Sequence, residues 1–165
     1  MNRLMRIGVV LAASAASALA MSQAGPPGPP SPEAQAASAV GTRQGLFKVI
    51  SNQFGPIGGM LRTTNGVPFD AAVVARNSAR IATLSEIIPE LFVKDTREFA
   101  AIKTAALPGI WNSQADFKGK ADALTKAAND LNAAAKGGNE AATKAAMGAV
   151  GKACAGCHDN YRQKP

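Results

Sequence analysis

Beyond residue 32, apolar residues recur along this chain at steps of three and four, with almost no period-two alternation. That spacing predicts helices with one buried face. The first runs from about Glu33 to Arg62, with Arg43, Phe47, Ile50, Phe54, Ile57 and Leu61 along one stripe. Pro56 lies inside it and predicts a kink, because proline removes the bond back to the Asn52 carbonyl. Thr63 to Val67 contains Asn65-Gly66, a turn signal. A second helix follows Pro68-Phe69, with Asp70 as N-cap. Its seam is Val74, Asn77, Ile81, Leu84 and Ile88, and Pro89 closes it. Pro89 to Trp111 reads as a long connection holding a short helix over Thr96 to Thr104. The third helix begins near Ser113, where Ser113 and Asp116 resemble a capping box. Phe117, Ala121, Leu124, Ala128 and Leu131 form its seam, and Gly137-Gly138 ends it. The fourth, capped by Asn139, carries Met147, Val150, Cys154, Cys157 and Tyr161 on one face. Short turns make the first and second helices, and the third and fourth, antiparallel neighbours. The expected fold is all-α, an antiparallel four-helix bundle.

Composition agrees with helix and asks for something more. The chain is rich in alanine, the best helix former, but only 5% of it is aromatic. A large cofactor would supply the missing core volume. Upstream, a short basic segment with Arg3 and Arg6 precedes an apolar run, Ile7 to Ala20. Ala18-Leu19-Ala20 has the form of a signal-peptidase site, and Ser22-Gln23-Ala24 is a second candidate. The run is short of the ~20 residues a spanning helix needs. Residues 1–24 are therefore expected to be a secretory signal cut after Ala20 or Ala24, and 25–33 a Pro/Gly-rich linker. Residues 34–165 form the bundle, and the mature chain carries no membrane insertion. About 140 residues remain, enough for one domain with a modest core. The formal charge of +7 falls by two, to +5, when Arg3 and Arg6 leave with the signal. Lysines and arginines are scattered among acidic residues, which reads as solvated helix faces able to steer an acidic partner. No nucleic-acid partner is expected.

The chemistry is concentrated in Cys154-Ala155-Gly156-Cys157-His158, which holds both cysteines and the single histidine of the chain. C-x-x-C-H is an attachment sequence for c-type haem. Each thiol forms a thioether to a porphyrin vinyl group, and the following imidazole is a good iron ligand. A structural zinc site needs about four ligands, and this chain has no further Cys or His to give. A thioredoxin-like pair would sit near a βαβ pattern, and none is present. A disulfide across two residues would close little loop entropy. Haem c, one group held through Cys154 and Cys157, is the expected cofactor.

C-x-x-C-H-x-x-Y-R on the last of four helices resembles the class II c-type cytochromes, and the cytochromes c′ in particular. The resemblance extends through Thr42-Arg43-Gln44, Phe54-Gly55, Val67-Pro68-Phe69-Asp70-Ala71-Ala72 and Ala75-Arg76-Asn77. It continues in Ile110-Trp111, Ala115-Asp116-Phe117-Lys118 and Gly148 to Cys154. It implies a left-handed bundle and a homodimer built on the first two helices. It also implies His158 as the proximal iron ligand, with Arg162 beside it and Arg43 near the haem and its propionates. The bland alternative for both arginines is a solvated charge. The position four after Arg43, here Phe47, is the one that faces the sixth coordination site in that family. Electron carriers of the class place methionine there, whereas cytochromes c′ place an apolar residue and leave the site open.

Phe47 offers no lone pair. Met60 lies thirteen residues further on, about 20 Å along a straight helix at ~1.5 Å per residue. Met147 lies eleven residues before His158, roughly 16 Å by the same rise. The expected iron is thus five-coordinate, under a crowded apolar pocket. Such a site takes neutral diatomics; nitric oxide and carbon monoxide need a distal donor less than oxygen does. A periplasmic, gas-binding haem protein that binds or protects against nitric oxide is the first expectation. The alternative is a periplasmic electron carrier that meets a small redox protein. An enzyme is not expected, because no distal histidine is available as acid or base.

Overall fold

The computed structural model describes residues 28–61 and 67–164. The signal segment, the start of the linker and the Asn65-Gly66 turn lie outside the described residues. Four long helices appear: α1 (Pro32–Leu61), α2 (Ala71–Glu86), α5 (Gln114–Lys136) and α6 (Glu140–Tyr161). Two single-turn helices, α3 (Ile88–Leu91) and α4 (Gly109–Asn112), flank the connection between α2 and α5. The chain packs in series, α1 on α2, α2 on α5 and α5 on α6. No described helix is long and apolar enough to cross a membrane.

Caps explain where the helices start and stop. The Asp70 carboxylate accepts from the backbone N–H groups of Ala72 and Val73 at 2.9 and 3.0 Å. Asn139 does the same for Ala142 at 3.0 Å. Each satisfies N–H groups that a helix start leaves without an intrahelical partner. Between α5 and α6 the chain turns through Gly138 at φ +71°, a conformation that costs glycine little. The core is built from the predicted seams: Ile50 and Ile57 of α1, Val74 and Ile81 of α2, Phe117, Leu124 and Leu131 of α5, and Val150 of α6 are all buried. Proline does not stop α1, which continues past Pro56 to Leu61.

Three local expectations need correction. Pro89 does not close α2: the helix yields at Ile87, and Pro89 sits at the start of α3, where its missing N–H costs nothing. Residues Thr96 to Thr104 form no helix. Isolated turns occur there instead, with Phe99 N–H bonded to Thr96 and Ile102 N–H to Phe99. Ser113 precedes α5 but makes no side-chain cap. Asp116 is drawn away to a tertiary partner, the Tyr161 hydroxyl at 2.6 Å.

Residues 92–108 are therefore a long irregular connection fastened at both ends. Arg43 holds the first part. The second pairs with the end of α6 through a bridge between Ala106 and Arg162. Leu107 N–H donates to the Tyr161 carbonyl at 3.0 Å and Gln163 N–H to Ala105 at 2.8 Å.

Candidate haem site

α6 carries the attachment sequence on a regular helix, which sets the geometry of its side chains. Cys154 and Cys157 are one turn apart, and Tyr161 follows one turn further on the same face. Both thiols are free, half-buried and packed against the core. His158 lies at the solvent edge of this face. Burial raises the pKa of Cys154, and pushes that of Cys157 up to about 11 with a smaller push from Cys154. These are neutral thiols, unlike the low-pKa thiolates of redox-active C-x-x-C pairs. Partial burial lowers the His158 pKa, and neighbouring Arg162 adds to this against the opposing pull of Asp159. The imidazole is thereby kept neutral, the form that donates a lone pair to a metal.

Arg43 and Phe47 sit one turn apart on α1 and meet the same partner, Phe92. The Arg43 guanidinium stands 4.6 Å from the Phe92 ring centroid, and the Phe47 ring lies 6.3 Å from it. Arg43 is only 3% exposed, so the solvated-charge alternative fails for it. Its Nε donates to the Leu91 carbonyl at 2.8 Å, one Nη to the Thr96 hydroxyl at 3.0 Å and the other to the Lys94 carbonyl. Burial lowers its pKa while Asp95 acts in the opposite sense. A buried cation is tolerated here because its donors are used and aromatic faces cover it. Phe47, by contrast, is 36% exposed. Arg162 is exposed at the end of α6.

The two clusters are joined by the seam rings Phe117 and Tyr161 together with Phe92, which periodicity did not single out. Phe92 packs edge-on against Phe117 at 4.9 Å, and Phe117 against Tyr161 at 5.3 Å. Phe92 lies in the irregular connection, where no repeat reveals a buried face. Trp111, in the single turn of α4, is a second ring outside the long seams. Its indole Nε1 is buried without a hydrogen-bond partner, whereas buried donors in native proteins nearly always have one.

These features fit a porphyrin. Two neutral thiols one turn apart, an imidazole beside them and an exposed phenyl ring on α1 are suited to a large, largely apolar group. No cluster of three or more His, Cys, Asp or Glu that would hold a metal ion alone occurs among the described residues.

Comparison with known proteins bears on the same residues. A family model described as cytochrome c′ matches residues 38–162. The cytochrome c′ of Rubrivivax gelatinosus is 40% identical over 126 residues, covering 76% of this chain and 95% of that protein. Its crystal structure superposes with a TM-score of 0.67 at 38% identity, over 78% of this chain and 97% of that one. The structure of cytochrome c prime from Shewanella frigidimarina gives a TM-score of 0.70 at 37% identity, with coverage of 78% and 97%. A nitric oxide complex of a cytochrome c prime variant from Alcaligenes xylosoxidans gives 0.68 at 32% identity, again covering 78% and 97%. Sequence and fold agree over nearly the whole bundle, and the chain belongs to the cytochrome c′ family, which binds haem c covalently and whose attachment sequence Cys154 and Cys157 fit.

Proposed function

We propose that this chain is a periplasmic haem protein whose iron is five-coordinate, ligated by His158, and binds small neutral gases, with nitric oxide binding or protection as its role. When bound, the haem would supply an iron able to take a neutral diatomic. Cys154 and Cys157 would hold the group by thioether bonds, and the His158 imidazole on α6 would donate its lone pair to the iron. Arg162 disfavours protonation of that imidazole through its positive charge. Phe47 would present its ring to the iron, exclude bulky entrants and offer no ligating atom. Phe92 backs Phe47, and Arg43 fixes Phe92 in turn.

The observation that carries this reading is Phe47 itself. The side chain four residues after Arg43 is a phenyl ring, and the available sulfurs are engaged elsewhere. Met60 and Met147 are both partly buried against the core, and the chain has no second histidine. The nitric oxide complex of the Alcaligenes xylosoxidans relative supports the choice of ligand. Export is supported by the Arg3–Arg6 segment, the apolar run after it and the need to attach haem c outside the cytoplasmic membrane. The α1–α2 face supports a homodimer. It carries an open groove of about 530 Å³ lined by Val49, Gln53, Ala79, Arg80, Thr83 and Leu84.

Optical and resonance Raman spectra of the ferric and ferrous protein, with and without nitric oxide and carbon monoxide, test the reading. A high-spin, five-coordinate ferrous spectrum that changes on adding gas is expected. A low-spin, six-coordinate spectrum unmoved by carbon monoxide would overturn it in favour of an electron carrier.

A further inference from the structure

His158 stands three residues before the end of α6, in the turn that a helix is least able to hold by itself. The last carbonyls of a helix lack intrahelical partners, and terminal turns fray. An imidazole there is only as well placed as its turn, which matters for the reading of His158 as an iron ligand, on which this inference rests.

The structure ties that turn down from three sides. From α5, the Asp116 carboxylate accepts from the Tyr161 hydroxyl at 2.6 Å, and the Phe117 ring meets the Tyr161 ring edge-on at 5.3 Å. From α4, the Gly109 backbone lies against the same ring, so close that an added Cβ would touch it at 3.6 Å. From the preceding connection, Leu107 N–H donates to the Tyr161 carbonyl at 3.0 Å. The Ala105 carbonyl accepts from Gln163 N–H at 2.8 Å, and Arg162 N–H closes the helix on the His158 carbonyl itself at 3.1 Å.

Among residues 158–162 only Tyr161 is buried, so one side chain carries the fastening of the turn to the bundle. It follows His158 by three residues and Cys157 by four, which makes it a neighbour of both on the helix surface. A carboxylate gives its hydroxyl a charge-assisted bond, stronger than a neutral acceptor would. We propose that Tyr161 and Asp116 are positioning residues for the haem iron: their hydrogen bond fixes the last turn of α6, and with it the place from which the His158 imidazole reaches the metal. Neither side chain touches the iron; both act through the helix.

Resonance Raman spectra of the ferrous, haem-loaded protein give the iron–histidine stretching band, and hydrogen exchange gives the protection of the amides of residues 161–163. Tyr161→Phe keeps the ring and removes the hydroxyl. It should shift and broaden the band, and speed exchange at those amides about tenfold beyond any change in α2. Asp116→Asn keeps a neutral acceptor and should move both readouts in the same sense by less; it reads the same band should the phenylalanine variant fail to load haem. Asp70→Ala weakens the cap of α2 and should leave the band unmoved, which separates positioning from a general loss of stability. An unmoved band in the Tyr161 and Asp116 variants would overturn the inference and leave the gas-binding reading standing. A six-coordinate ferrous wild type, which shows no such band, would overturn the gas-binding reading instead. Exchange then decides alone, and unchanged protection of residues 161–163 in Tyr161→Phe would overturn the positioning role as well.

Discussion

Phe47 and Arg43 are one turn apart on α1, yet they answer to different forces. Phe47 is exposed enough to meet a ligand, and its chemistry is set by what the side chain lacks. Phe47→Met would place a thioether where the ring now stands. The ferrous protein should then become six-coordinate and low-spin, and carbon monoxide should bind far more slowly. A variant that stayed five-coordinate would remove Phe47 from the distal position. Arg43 is a buried cation clamping Leu91, Lys94 and Thr96. Arg43→Gln should cost about 3 kcal/mol, since charged hydrogen bonds are lost and buried acceptors are left unpaired. Lysine should not restore the loss, because its single ammonium cannot span three acceptors as the planar fork does. Urea denaturation of the three proteins checks both statements; wild-type stability in the glutamine variant would rule out the clamp. The motif and the arginine were legible in the sequence. The acceptors were not, because they lie about fifty residues away in a segment without periodicity.

Helices of this chain carry their own punctuation. Asp70→Ala should destabilise the protein by about 1 kcal/mol, the usual worth of an N-cap, as a shift in thermal midpoint would show. At the start of α5 the local signal misled. Ser113 and Asp116 have capping-box spacing, but Asp116 binds the Tyr161 hydroxyl and ties α5 to α6. That bond raises the tyrosine pKa to about 12, from an ordinary value of 10.0, with burial adding to it. The unfolded tyrosine loses its proton near the ordinary value while the folded one keeps it, so unfolding releases a proton in between. Stability contributed by this pair is therefore complete below about pH 10 and lost as pH rises through about 12. Tyr161→Phe should lower stability at neutral pH by roughly 1 kcal/mol and flatten the alkaline decline. Denaturant midpoints at neutral and strongly alkaline pH decide it; parallel declines in both proteins would place the alkaline sensitivity elsewhere.

At the scale of the molecule, α1 packs on α2 and leaves an outer face with Val49 47% exposed. Across that groove Arg80 reaches Gln53 at 3.2 Å, so its floor is apolar and its rim polar, as protein interfaces commonly are. If this face joins two copies, Val49→Asp should yield monomers with an unchanged haem spectrum, because the site lies on the other side of α1. Sedimentation of wild type and variant gives the answer, and a variant that remained dimeric would place the interface elsewhere. The same organisation leaves residues 92–108 spanning the bundle between the α1 cluster and the end of α6. A long connection in a compact domain is usually functional, and this one supplies Phe92 and leads into Trp111.

The sequence by itself determined the four long helices, their buried seams, the caps at Asp70 and Asn139, and the haem-attachment sequence that holds Cys154 and Cys157. Those properties are local: a helical repeat, a capping side chain and a five-residue motif are complete within a few turns of chain. Only the tertiary structure decided that Arg43 is a buried clamp, that Asp116 serves Tyr161 instead of its own helix, and that Phe92 links α1 to α5. It also decided that Trp111 is left with a donor to satisfy. Each of these depends on partners brought together across long separations by packing, and side chains that pair at a distance carry no period along the chain to announce them.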